Sequence, residues 1–226
     1  MDAMEALRSS VLFGGLDERA QARIAEIAIH RRYRKGSVLF VQGEQAERCF
    51  AIVSGAVKIS AYHPDGREAV LAVLGPGDVF GELALFDQAP RSADATALED
   101  SELLSIDAQG LNEAISTNPK LGLAMLRVLG ERLRQSNEAF QDIAFFDVPG
   151  RVARRLADLA DAHGREAAEG IIIDIFLSQE SLAQMVGATR ESVNKALALL
   201  KRRGLVARIG KRYLVSDVVR LRERAR

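Results

Sequence analysis

Between residues 37 and 106 the chain is broken into short alternating apolar runs, each closed by glycine or proline. This punctuation constrains the fold more than any other feature. The runs are Ser37–Val41, Cys49–Ser54, Ala56–Tyr62, Glu68–Leu74, Ala93–Leu98 and Glu102–Ile106. Between them stand Gln42-Gly43-Glu44, Ser54-Gly55, Pro64-Asp65-Gly66 and Gly75-Pro76-Gly77-Asp78. Regular strands with such turn signals imply a small antiparallel roll or barrel of jelly-roll type. Gly36, Gly43, Gly55, Gly66 and Gly77 are expected at its corners, as turn glycines that need touch no ligand. A short amphipathic helix from Asp17 to Ile29 precedes the roll, so the N-terminal part is α+β.

Charge divides the chain. The 31 Lys and Arg balance the 31 Asp and Glu, yet Met1–Val148 holds 15 basic against 22 acidic residues, a net of −7. Pro149–Arg226 holds 16 against 9, a net of +7. An acidic module joined to a basic one suits contact with a polyanion, although a solvated basic surface has the same charge. The 48% apolar content is enough for a real core. No run reaches the ~18 apolar residues of a membrane span, and Met1–Ser10 lacks the order of a signal peptide, so a cytoplasmic protein is expected. A single cysteine, Cys49, cannot form an internal disulfide, a four-thiolate metal site or an iron–sulfur cluster.

One corner of the roll carries chemistry. Phe80-Gly81-Glu82-Leu83-Ala84-Leu85-Phe86 leads through Asp87-Gln88-Ala89-Pro90 to Arg91-Ser92-Ala93, at a strand end and the start of a short helix. Backbone N–H groups there, with Arg91 and Ser92, form a cradle for phosphate. Glu82 would repel a phosphate but accept from a sugar hydroxyl, and a nucleotide carries both groups. The alternative is a surface ion pair between Arg91 and Glu82.

A long helix follows, opening at Asn118-Pro119 and running to about Phe146. Leu126, Leu129, Leu133, Ser136, Phe140 and Ile143 are spaced as a heptad seam. The buried helix of a monomer can show a similar period, but the seam's length and its place between oppositely charged parts favour a homodimer. Ser136 interrupts the seam and Asn137 follows it, so this pair either fixes register or meets a ligand. Arg132 lies one turn before Ser136, with Glu131 and Glu138 as alternative surface partners.

The basic part reads as a winged helix-turn-helix. After a hinge at Ala144–Gly150, an amphipathic helix presents Val152, Leu156 and Leu159. A flexible Ala162–Gly170 connection leads to a strand at Ile171–Ile175. Ser178 caps one helix with Leu182, Ala183 and Val186 inward, Gly187 breaks it, and Thr189 caps a second from Arg190 to Leu200. Val193, Ala196, Leu197 and Leu200 hold that second helix to its core. Arg190, Glu191, Asn194 and Lys195 lie on its exposed leading edge, where Arg can bond guanine and Glu can accept from cytosine. An ordinary solvated first turn is the alternative. Gly204–Val215 forms a two-stranded wing with a basic tip. Ser178, Gln179, Lys201, Arg208, Lys211 and Arg212 are candidate phosphate contacts.

Phe80-Gly81-Glu82-Leu83-Ala84 with Pro90-Arg91-Ser92-Ala93 resembles the phosphate-binding cassette of the cyclic-AMP receptor protein (CRP/FNR) family. The likeness spans nearly the whole chain and is nearest to actinobacterial cyclic-AMP receptors. It implies that Gly81 and Glu82 contact the ribose, that Arg91 and Ser92 hold the cyclic phosphate, and that Leu83 and Ala84 offer backbone N–H groups. It implies too that Arg132 points into the pocket, and that Ser136 and Asn137 read adenine from the two subunits. Asn137 departs from the family's serine. Thr189-Arg190-Glu191-Ser192-Val193-Asn194-Lys195 is similar to the family's recognition helix, which reads a TGTGA half-site. There Lys195 replaces an arginine and lacks its fork.

The resemblance implies a cAMP-responsive homodimer on palindromic double-stranded DNA, with residues 1–117 as roll, 118–147 as dimer helix and hinge, and 148–226 as DNA-binding domain. RNA polymerase is a further expected partner, with Ala162–Gly170 as candidate surface. A different effector (cyclic GMP or a cyclic dinucleotide), or none, keeps the same fold. No metal, haem or iron–sulfur cluster is expected. A cupin-like enzyme would need converging histidines, and His30, His63 and His163 are scattered.

Overall fold

The computed structural model describes residues 7, 8, 10, 13–15 and 17–224. Most of the Met1–Ser10 segment and the last two residues of the chain therefore lie outside the described residues. Contacts divide the chain into two compact units. One reaches Tyr62 and resumes over Leu71–Arg134, and the other takes in His63–Val70 and runs from Gln135 onward.

Asp17 caps the first helix, α1 (Glu18–Ile27), its carboxylate accepting from the Ala20 N–H at 2.9 Å. The helix is shorter than the sequence pattern suggested, because Ile29 opens a strand, β1 (Ile29–Tyr33). Its sequence, Ile-His-Arg-Arg-Tyr, lies on a sheet edge with four of the five residues exposed, so it has no apolar alternation to betray it. Then come β2 (Val38–Phe40), β3 (Arg48–Ser54), β4 (Val57–Tyr62), β5 (Glu68–Leu74) and β6 (Val79–Phe80). A one-turn helix, α2 (Leu83–Phe86), separates β6 from β7 (Asp94–Ala97) and β8 (Ser101–Asp107).

The strands form two four-stranded sheets, ordered β1-β8-β3-β6 and β2-β7-β4-β5. The pairings of β1 and β3 with β8, β3 with β6, and β2 and β4 with β7 are antiparallel. All five expected corner glycines have positive φ, from 82° to 91°. Strand β3 is buried on both faces. Phe50 and Ile52 join Phe40, Val57, Phe80, Ala95 and Leu103 between the sheets. Cys49, Ala51 and Val53 pack on the other side with Ile24, Leu111, Leu121 and Met125 from the helices.

Helix α3 (Ala108–Thr117), which the sequence reading did not identify, covers that second face. Helix α4 (Pro119–Phe145) follows at once, and only its first turns are buried, at Leu121 and Met125.

In the second unit α5 (Val148–His163) is capped by Asp147 and buries Val152, Leu156 and Leu159. The connection read as flexible, Ala162–Gly170, is structured. Helix α5 runs to His163, and β9 (Gly164–Ala167) then pairs antiparallel with β10 (Gly170–Ile173). Helices α6 (Gln179–Val186) and α7 (Arg190–Arg202) follow, then the wing strands β11 (Val206–Ile209) and β12 (Arg212–Val215), in a sheet ordered β11-β12-β10-β9. A last helix, α8 (Val218–Glu223), follows and is anchored by buried Leu221.

Candidate functional site

Strand β6 ends at Phe80, and Gly81 turns the chain with φ of 77° before α2. A Cβ at Gly81 would sit 2.8 Å from Arg91 Nη1 and 3.3 Å from a Phe40 ring carbon, so the position admits only glycine without strain. Arg91 returns on the segment before β7, its N–H donating to the Glu44 carbonyl at 2.8 Å. Its guanidinium donates to the carbonyls of Gly81 and Arg48, each at 2.6 Å, and lies 4.0 Å over the Phe40 ring.

The Glu82 and Arg91 side chains are not the surface ion pair that was one reading of the sequence. Glu82 is 3% exposed and Arg91 6%. Glu82 Oε1 accepts instead from Arg132 of α4, whose other terminal nitrogen donates to the Val79 carbonyl. Arg132 therefore belongs to this corner, while Glu131 pairs with Arg134. Burial pushes the Glu82 carboxyl above its ordinary range, and the Arg132 charge only partly opposes it. Burial likewise lowers the pKa of Arg91. The neighbouring Cys49 thiol is pushed up to about 12, first by burial and then by the Glu82 charge, so it stays protonated.

Glu82 Oε2 and Arg91 Nε are buried at this corner with no hydrogen-bond partner among the described residues. One is an acceptor and the other a donor, and buried orphans of this kind call for an explanation. A molecule carrying both a hydroxyl and an anionic oxygen could satisfy both. Ser92 is exposed beside them, Leu83 is exposed and Ala84 is buried on α2. Leu83 and Ala84 head that turn, where N–H groups lack a partner within the helix, whereas those of Leu85 and Phe86 return to the Glu82 carbonyl. The structure thus gathers Gly81, Glu82, Leu83, Ala84, Arg91, Ser92 and Arg132. Ser136 and Asn137 are exposed on α4 in the other compact unit. The sequence reading missed Phe40 and the Arg48 carbonyl, which come from strands distant in the chain, and the Val79 carbonyl, whose partner Arg132 arrives on α4.

In the second unit Ser178 and Thr189 cap α6 and α7, accepting from the N–H groups of Ser181 and Ser192. Gly187, with φ of 61°, makes the turn between them. Leu182, Ala183, Val186, Val193, Ala196 and Leu200 are buried, and Leu197 is half-buried. Arg190 is exposed at the start of α7. Glu191 and Lys195 face each other one turn apart as an exposed ion pair at 2.7 Å. Asn194 is half-buried and Gln179 lies in the first turn of α6. Lys201, Arg208 and Lys211 are exposed, with Arg208 over Tyr213 and Lys211 over Phe176. Arg212 is held by Asp174 at 2.9 Å.

This pairing of a roll with a capped helix-turn-helix has counterparts among known proteins. Residues 30–118 match the cyclic nucleotide-binding domain family, and residues 150–224 match the Crp-like helix-turn-helix domain family. The chain is 40% identical over 222 residues to the CRP-like cAMP-activated global transcriptional regulator of Mycobacterium tuberculosis, covering 98% of this chain and 99% of that one. The chain belongs to the CRP family. It is a cyclic-nucleotide-binding, DNA-binding regulator of transcription.

Other CRP-family relatives differ in effector. The cyclic AMP receptor protein of Thermus thermophilus is 31% identical over 200 residues, covering 88% of this chain and 89% of that one. The c-di-GMP responsive regulator CLP of Xanthomonas campestris superposes with a TM-score of 0.75 at 28% identity, over 89% of this chain and all of that one.

Proposed function

We propose that the protein is a homodimeric transcription regulator whose DNA affinity is raised by cyclic AMP. The observation that carries the nucleotide reading is the orphaned pair at the roll corner, Glu82 Oε2 and Arg91 Nε. In this reading a ribose hydroxyl donates to Glu82, whose other oxygen Arg132 holds, and Gly81 lets the backbone approach. The cyclic phosphate accepts from Arg91, Ser92 and the N–H groups of Leu83 and Ala84. Ser136 and the partner's Asn137 meet the adenine edge. Residues 1–117, 118–147 and 148–226 are the working domains.

The dimer rests on the exposed seam of α4. Leu126, Leu133, Phe140 and Ile143 are 60–74% exposed in the single chain, and burying each side chain stabilises by about 1.5–3 kcal/mol. Two recognition helices then meet successive major grooves ~34 Å apart on a palindromic, TGTGA-like site. Arg190, Glu191, Asn194 and Lys195 face bases. Ser178, Gln179, Thr189, Lys201, Arg208, Lys211 and Arg212 face phosphates, with Arg212 leaving Asp174 to do so. The protein acts by binding rather than by catalysis, in the cytoplasm, with RNA polymerase as its further partner. Cyclic AMP shifts the equilibrium only as far as it prefers the DNA-competent dimer.

A second reading keeps the dimer and changes the effector. Its support is the 28% identical c-di-GMP responsive neighbour. Calorimetric titration with cyclic AMP, cyclic GMP, cyclic di-GMP and linear AMP separates the two. Saturation near one cyclic AMP per subunit, with the others much weaker, is the expected result. Tighter cyclic di-GMP binding supports the second reading, and no binding by folded protein overturns the nucleotide assignment. Ser92→Ala is the clean follow-up, because Ser92 is exposed. Losing a hydrogen bond to a charged group costs about 1.5–3 kcal/mol, so affinity should fall roughly ten-fold or more with the melting temperature unchanged.

A further inference from the structure

Helix α4 ends at Phe145 and α5 begins at Val148, so only Phe146 and Asp147 link them. Their four backbone dihedrals are the soft degrees of freedom that set the angle between the two helices. Apolar packing at the end of α4 is sparse, since Phe140, Ile143 and Phe145 are 60–79% exposed. The contacts that span the link are polar. Arg154 of α5 reaches back to Asp142 of α4, with Nε 2.7 Å from Oδ1 and the side chains 31% and 17% exposed. This is a contact of charges rather than an aimed hydrogen bond, because neither atom has a hydrogen-bond partner among the described residues.

The Arg154 guanidinium also lies 5.1 Å over the ring of Phe146, in the link itself. Arg151 donates to the Phe146 carbonyl at 3.4 Å. Arg155 beside it is buried, with Asp158 and Asp142 opposing the loss of its charge. Asp158 in turn accepts from Arg222 of α8 at 3.3 Å, as does Asp161. Charges therefore run from the end of α4 through α5 to the C-terminal helix.

We propose that the Asp142–Arg154 pair, seated on Phe146, is the strut that sets the hinge angle and carries nucleotide binding to the recognition helix. Asp142 lies next to the seam residue Ile143 but is not itself on the seam, so the strut is compatible with the proposed dimer. A partly buried ion pair suits this role. Removing Asp142 leaves Arg154 without its counter-charge, and removing Arg154 leaves Asp142 to Arg155 alone, whereas both partners remain wettable enough to separate when the helices move. A well-packed apolar contact in the same place would hold a single angle.

The inference rests on the cyclic-AMP reading for its function but not for its geometry, and the test separates the two. Spin labels are placed at exposed Gln135 and Glu180 through Gln135→Cys and Glu180→Cys, with labelled chains diluted in unlabelled ones. Cys49 is buried and stays unlabelled. Distances are measured in the otherwise wild-type chain, in Arg154→Gln, in Asp142→Asn and in the charge-keeping Arg154→Lys.

Both neutral variants should broaden or shift the distance distribution, and Arg154→Lys, which keeps the charge, should stay close to wild type. The gain in DNA affinity on adding cyclic AMP should fall at least five-fold in the two neutral variants and be kept in Arg154→Lys. Wild-type distances in both neutral variants overturn the proposal, and so does an altered distance with an unaltered gain. A wild-type protein whose DNA affinity ignores cyclic AMP defeats the functional reading instead, and the distances then decide the strut alone.

Discussion

Glu82 is the residue on which ligand chemistry and stability pull in opposite directions. Its carboxyl is buried, its pKa is raised by that burial, and Arg132 compensates only in part. Because the folded pKa exceeds the unfolded one, this group favours folding fully below the unfolded value of ~4.3, and that contribution is lost as pH rises through the folded value. Ionised Glu82 is thus a cost at neutral pH. The ionised form accepts from a ribose hydroxyl more strongly than the protonated one, so nucleotide affinity should weaken on acidification while ordinary carboxylates are still charged. Titrations from pH 7.5 downward should show this loss in the wild type, and Glu82→Gln should bind weakly with a flat profile. An equally steep loss in Glu82→Gln would remove Glu82 as the cause. The sequence placed Gly81, Glu82, Arg91 and Ser92 together because they are close in the chain. It could not reveal that Arg91 rests on Phe40 and the Arg48 carbonyl, which strand pairing supplies.

At the level of elements, the proposed function gives base reading to α7 and much of the phosphate contact to the wing. Arg190 is exposed at the start of α7, whereas Lys195 is engaged by Glu191. Arg190→Ala should cost about 1–3 kcal/mol on the preferred site and relax preference at one base pair. Lys211→Ala should weaken binding evenly across sequences and reduce the salt slope by about 1. Fluorescence anisotropy against matched and single-mismatch duplexes at several salt concentrations distinguishes the two effects. Helices α6 and α7 were legible because Ser178, Gly187 and Thr189 punctuate them locally. Strands β1 and β9 were not, since exposed edge residues such as His30, Arg31, Arg165 and Glu166 carry no apolar alternation. Helix α3 escaped for a similar reason, burying only Gly110, Leu111 and Ala114.

For the whole molecule, the long helix is the decisive element. Its first turns are buried in the roll at Leu121 and Met125, and the seam beyond them is exposed. Leu133→Glu puts a charge in the middle of the proposed interface. Sedimentation should report a folded monomer for this variant and a dimer for wild type, and DNA affinity should fall with the loss of the second half-site. A wild-type monomer at micromolar concentration would remove the dimer from the account.

The sequence alone determined the roll, the long helix and the winged helix-turn-helix. Each is written in a local period of apolar residues, a cap or a glycine turn, and such signals act over a few neighbours in the chain. It also singled out Gly81, Glu82, Arg91 and Ser92, which lie within a dozen positions of one another. Tertiary structure decided what those residues touch. Arg132 meets Glu82 across fifty positions because α4 packs on the roll, and burial there moves the Glu82 pKa. Asp142 meets Arg154 because the chain bends at Phe146 and Asp147. Burial and long-range charge contact depend on where distant segments come to rest, and no local pattern encodes that.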